Sequence, residues 1–107
     1  MKRYGHVIKV RPEKLEEYRK LHKDVWSSVL EMIAECNIRN YSIFYYSGLL
    51  FSYYEYIGSD YAADMKKMAE DPETQKWWKL TDPCQQPVES AREGEWWVEM
   101  EELFHSP

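Results

Sequence analysis

Glycine is scarce, with four residues in 107, too few and too scattered to build a loop that cradles phosphate. Basic side chains are outnumbered 14 to 19 by acidic ones, leaving a net charge of −5, and no basic stripe occurs. Nucleic acid and anionic membranes are therefore not expected as partners. No apolar run approaches the roughly 20 residues that cross a bilayer. The segment Met1-Lys2-Arg3-Tyr4-Gly5-His6 goes directly into a strand pattern without a signal-peptide core, so a cytoplasmic location is expected. The only cysteines, Cys36 and Cys84, are far apart with no paired spacing and read as reduced thiols. The three histidines, His6, His22 and His105, fall in different segments with neither HxH nor HExxH spacing, so no metal site is expected. No Ser or Cys lies in a recognisable nucleophile motif, and there are no repeats.

What the chain does have is aromatic surface. Nine Tyr and five Trp put both apolar faces and hydrogen-bonding tips along the chain, which suits a small polar ligand or a dimer interface. Trp77 and Trp78 are adjacent in a charged segment between Pro72 and Pro83. Neighbours on a helix point about 100° apart, so a single buried stripe does not easily absorb both rings. Either both pack, or one goes to the core while the other lines a wall or a partner surface.

Length predicts one domain over residues 1–107. Tyr4, His6, Ile8 and Val10 alternate as in a strand. Pro12 then opens a helix with Glu13, Glu16 and Glu17 near its positive end. Its inward stripe is Leu15, Tyr18, His22, Val25, Val29 and Met32, and it is expected to run unbroken to Cys36-Asn37. Strands follow over 40–46 and 49–57, joined at Ser47-Gly48. Ser59 or Asp60 caps a further helix, and Pro72 begins a short one carrying the Trp pair. Residues 81–94 read as a polar loop and 96–104 as the last strand. This order is the ferredoxin-like α+β pattern. In the second hairpin strand Leu49, Phe51 and Tyr53 face one way, and Leu50, Tyr54 and Tyr56 the other. Helices cover only one face of such a sheet, so a homodimer packed through the other face is expected.

His22 interrupts an apolar stripe. It is either a satisfied core histidine or a partly buried imidazole that gives and takes a proton near neutrality. Tyr18 and Trp26, four residues to either side, lie on the same side of the predicted helix, which faces the sheet. Glu55 and Glu102 are acids in otherwise hydrophobic strands. The plain role for each is an ion pair or hydrogen bond to the neighbouring chain.

Taken together, Tyr18-x-x-x-His22-x-x-x-Trp26, Asn40-Tyr41-Ser42-Ile43-Phe44, Leu50-Phe51-x-x-x-Glu55, Trp77-Trp78-x-x-Thr81-Asp82 and Glu102-Leu103-Phe104-His105 resemble the L-rhamnose mutarotase family over nearly the whole chain. The resemblance implies a dimeric α+β barrel of ferredoxin-like subunits that interconverts the α and β anomers of L-rhamnose without cofactor or metal. It implies His22 as the acid/base residue and Tyr18, Tyr41, Trp77 and Trp78 as the sugar site. Two features depart from it. Ser27-Ser28 stands where members often carry Pro after the helix Trp, and the 85–94 segment with Trp96-Trp97 is unfamiliar. A related 6-deoxy sugar such as L-fucose is therefore a second candidate substrate. The same architecture also houses small monooxygenases, and a non-catalytic sugar-binding module fits the aromatic residues too.

Overall fold

A computed structural model describes residues 1–107. Strand β1 (Lys2–Val10) is followed by helices α1 (Leu15–Lys23) and α2 (Ser27–Glu35), the hairpin β2 (Ile38–Tyr46) and β3 (Leu49–Tyr56), and helices α3 (Tyr61–Glu70) and α4 (Pro72–Thr81). Two short strands, β4 (Gln85–Gln86) and β5 (Val98–Glu99), complete it. The antiparallel sheet has the order β2-β3-β1-β4. The far edge of β1 is shared. Lys9 and Val10 pair with Gln86 and Gln85, while His6 and Val7 pair with Glu99 and Val98. This is the ferredoxin-like α+β arrangement that the element order predicts.

The predicted single long helix is two helices. The chain leaves helical geometry at Asp24 (φ −145°, ψ 64°) and re-enters at Ser27. Asp24, Val25, Trp26, Ser27 and Ser28 are all modest helix formers, so nothing local resists the break. The Trp26 carbonyl accepts from the amides of Val29 and Leu30 and starts α2. Ser27 therefore occupies the first helical position, where a proline is equally at home. Trp26 is consequently not on a continuous helix face with His22.

The hairpin turns tightly because Ser47 and Gly48 both take positive φ (48° and 82°), as a two-residue turn matched to strand twist requires. Between Arg39 and Ser42 the β2–β3 register shifts, and Asn40 sits at φ 51°. This bulge exchanges the facing of the strand. Asn40 turns to the bare face, where it bonds Glu55, and Tyr41 turns under the helices.

Two caps fix the later helices. Asp60 accepts from the Ala63 amide, and Asp71 accepts from the backbone and hydroxyl of Thr74. Two buried clusters pin helices to sheet. One joins Ile8, Val10, Tyr18, Leu50 and Cys84, and the other joins Tyr4, Ile38 and Tyr56.

The C-terminal region differs most from expectation. Residues 81–94 are not all loop. A 3₁₀ turn, Asp82–Cys84, leads into β4, and both Cys84 and Gln85 are buried. The last strand is two residues rather than nine, paired only with His6 and Val7 of β1. Beyond Glu99 the amide of Met100 still donates to the Gly5 carbonyl, and Arg3 pairs with Glu102 at 2.9 Å. Glu55 takes bonds from Asn40 and Tyr53. Both acids thus find partners within the chain itself.

Candidate functional site

A cavity of about 910 Å³ separates the helices from the sheet, lined by members of both core clusters. His22, Tyr18, Tyr41, Trp77 and Trp78, the five residues singled out from the sequence, all line it. A hollow of about 350 Å³ on the opposite face, around Arg3, Gly5, Tyr53 and Met100, contains none of them.

His22 projects from the last turn of α1. Its Nδ1 lies 2.8 Å from the Tyr18 carbonyl oxygen. A carbonyl only accepts, so Nδ1 carries the hydrogen and Nε2 carries the lone pair. No protein group takes Nε2. The ring stacks on Tyr18 at 4.2 Å and meets the Trp77 ring edge-on at 5.5 Å. Burial holds the imidazole pKa below its usual value, opposed by the bond to Tyr18. The neutral form therefore dominates at pH 7.

The two tryptophans divide, the second of the two arrangements that the sequence leaves open. Trp77 is only 6 % exposed and also packs edge-on against Trp26, whereas Trp78 is 36 % exposed at the cavity wall. Trp77 thus packs between His22 and Trp26 while contributing to the lining.

Tyr18 is buried, and its hydroxyl lies 3.2 Å from Gln85 Nε2. Gln85 Oε1 in turn accepts from the Trp96 indole N–H at 2.7 Å. Burial, partly offset by the Gln85 bond, drives the Tyr18 phenol far up, so it stays protonated. Tyr41 stands at the rim. The residue is 43 % exposed, but its hydroxyl is enclosed, and burial pushes it up to about 12. Its ring meets Tyr54 edge-on at 5.3 Å. Asp82, also on the lining, has its carboxyl raised by burial. No three His, Cys, Asp or Glu side chains converge in a metal-holding group.

Several lining residues escape sequence reasoning. His6 sits on the cavity floor beside Tyr54 at 5.6 Å, its pKa lowered by burial. A signal for it exists, since alternation along β1 places it with Tyr4, Ile8 and Val10. Gln85 and Trp96 have no such signal, because they lie in segments without periodicity. Trp96 turns into the cavity rather than continuing the facing of Val98 and Met100.

The chain matches the family model for L-rhamnose mutarotase over residues 3–106. It is similar to an L-rhamnose mutarotase of Oceanobacillus iheyensis, 36% identical over 85 residues that cover 78% of this chain and 79% of that protein. Among solved structures it is similar in fold to an L-rhamnose mutarotase from Formosa agariphila, at TM-score 0.77 and 18% identity over the whole of both chains. It is also similar in fold to the tetracenomycin F2 cyclase of Streptomyces glaucescens, a type-II polyketide cyclase, at TM-score 0.72 and 16% identity over the whole of both chains. One architecture thus serves a mutarotase and a cyclase, and fold alone does not choose between them. The match of the family model across 3–106 does: the chain belongs to the L-rhamnose mutarotase family.

Proposed function

We propose that this chain interconverts the α and β anomers of L-rhamnose with His22 as the acid/base residue. The observation that carries the reading is the His22 ring. Its Nδ1 is committed to the Tyr18 carbonyl, and its Nε2 is left free on the wall of an aromatic cavity. Mutarotation removes the proton from the anomeric hydroxyl and protonates the ring oxygen. The ring opens, the aldehyde turns, and the ring closes on its other face. Neutral Nε2 takes the hydroxyl proton while a second group, a lining Tyr hydroxyl, a carboxyl or a bound water, protonates the ring oxygen. On closure that group takes its proton back and the imidazolium returns its own to the aldehyde oxygen. An imidazole titrating near working pH performs both steps. Tyr18 and Tyr41 hydrogen-bond sugar hydroxyls, while Trp77 and Trp78 cover the C–H faces and the C6 methyl. The uncatalysed reaction already runs in water, so acid–base acceleration of roughly 10²- to 10⁴-fold suffices.

The active protein in this reading is one domain that pairs with a second copy through the bare sheet face. That face leaves Phe44, Tyr46 and Phe104 at 63 %, 72 % and 72 % exposed, a patch that calls for a partner. A face that meets its own copy across a two-fold axis buries these rings on both subunits at once. The two buried, unpaired thiols suit a reducing cytoplasm.

Saturation-transfer NMR of anomer exchange across a sugar panel tests the reading. L-Rhamnose exchange should accelerate strongly, L-fucose less, and D-glucose little. Equal acceleration of all three, or of none, would overturn it.

A further inference from the structure

We propose that Gln85, held by Trp96, sets the direction of the Tyr18 hydroxyl bond and aims the Tyr18 proton into the cavity at the bound sugar. The inference rests on the reading above, in which Tyr18 binds substrate, and adds a positioning residue to it.

One group in this chain of contacts has a fixed role. An indole N–H donates and never accepts. It lies 2.7 Å from one end of the Gln85 amide, so that end is the oxygen. The other end, facing the Tyr18 hydroxyl at 3.2 Å, is therefore NH₂ and donates. A phenol has one hydrogen. With its oxygen accepting from Gln85, that hydrogen points elsewhere, and no group in the chain receives it. Burial keeps it on the oxygen.

The Gln85 main chain is equally constrained. It pairs with Val10 in β4, and the Arg11 amide donates to the adjacent Cys84 carbonyl at 2.8 Å. Gln85 and Tyr18 are both buried, so water does not compete for the amide. Trp96 is part-exposed at the same cavity. The C-terminal segment thereby acts on the sugar site through a donor–acceptor relay whose polarity runs one way, Trp96 to Gln85 to Tyr18 to ligand.

Gln85→Glu reverses that polarity without changing shape. A carboxylate accepts from both Trp96 and Tyr18, so it draws the Tyr18 proton away from the cavity. KM for L-rhamnose should rise roughly tenfold, the loss of about one hydrogen bond, with kcat little changed. A neutral carboxylic acid restores one donor and one acceptor. The variant-to-wild-type ratio of kcat/KM should therefore recover as pH falls from about 8 to about 5, across the range reached by a buried carboxyl. Gln85→Met should show a similar KM rise with no such recovery, and Trp96→Phe a smaller one.

A Gln85→Glu ratio that does not change with pH, or a Gln85→Met variant with wild-type KM, overturns the proposal. A readout without turnover covers misfolding and substrate error alike. In the ligand-free wild type, the Trp96 indole N–H signal, assigned by its loss in Trp96→Phe, should exchange slowly. It should move in a folded Gln85 variant. A freely exchanging or unmoved signal overturns the clamp. If the wild type does not accelerate L-rhamnose exchange, the functional reading falls while the indole signal still decides the relay.

Discussion

Tyr54 and Tyr56, on the helix-covered face of the sheet, have their hydroxyls engaged. Tyr54 bonds Tyr61, and Tyr56 donates to Asp64 and accepts from the Asp60 amide. On the bare face Phe44, Tyr46 and Phe104 stand mostly in solvent, and the polar contacts are Arg3–Glu102 and the Glu55 bonds to Asn40 and Tyr53. Both faces are aromatic, so composition does not separate them. What separates them is cover: the helices enclose a cavity over one face and leave the rings of the other in solvent. A covered face that keeps a free imidazole nitrogen and aromatic walls over a cavity suits a small polar ligand. A face of bare rings suits another protein surface, the pairing proposed above.

The largest break in this comparison comes from His22. His22→Ala should lose roughly 10²- to 10⁴-fold in accelerated exchange while keeping its circular dichroism and its oligomeric state. Full activity in that variant would return His22 to the role of a core histidine. Next come the two tryptophans, which test the division of labour within the covered face. Trp77→Ala should cost about 3 kcal/mol or more in urea unfolding, because a buried ring is lost from between His22 and Trp26. Trp78→Ala should cost about 1 kcal/mol or less in stability and show itself mainly as a raised KM. Equal unfolding midpoints for the two would contradict the assignment. The smallest effect on chemistry belongs to the bare face. Tyr46→Glu should shift light scattering at micromolar concentration from twice the 13.0 kDa chain mass towards the monomer. Exchange per folded chain should stay near wild type, since Tyr46 is no part of the cavity lining.

Much of this contrast is legible in the sequence. Alternation in the hairpin marks two apolar faces, and the spacing of Leu15, Tyr18 and His22 puts the imidazole under the sheet. The i, i+1 rule separates Trp77 from Trp78. What escapes has physical causes. The break at Asp24 is silent because the apolar stripe resumes in phase on the far side. A one-residue bulge at Asn40 sets Tyr41 in phase with Ile43, and counting by two from Ile38 gives the wrong face unless the bulge is known. Gln85 and Trp96 meet across eleven residues of non-periodic chain, placed by a β1 edge that two short strands share.

In the proposed mechanism a neutral, partly buried His22 does the proton transfer. The pH dependence of kcat/KM for L-rhamnose tests it most directly, since that ratio reports the free enzyme. Burial lowers the His22 pKa below 6.5, and the base is the neutral form. The rate should therefore be full at neutral pH and fall only as pH drops through a value under 6.5, and this limb should vanish in His22→Asn. An acidic limb centred above 6.5, or one that persists unchanged in His22→Asn, would contradict the account.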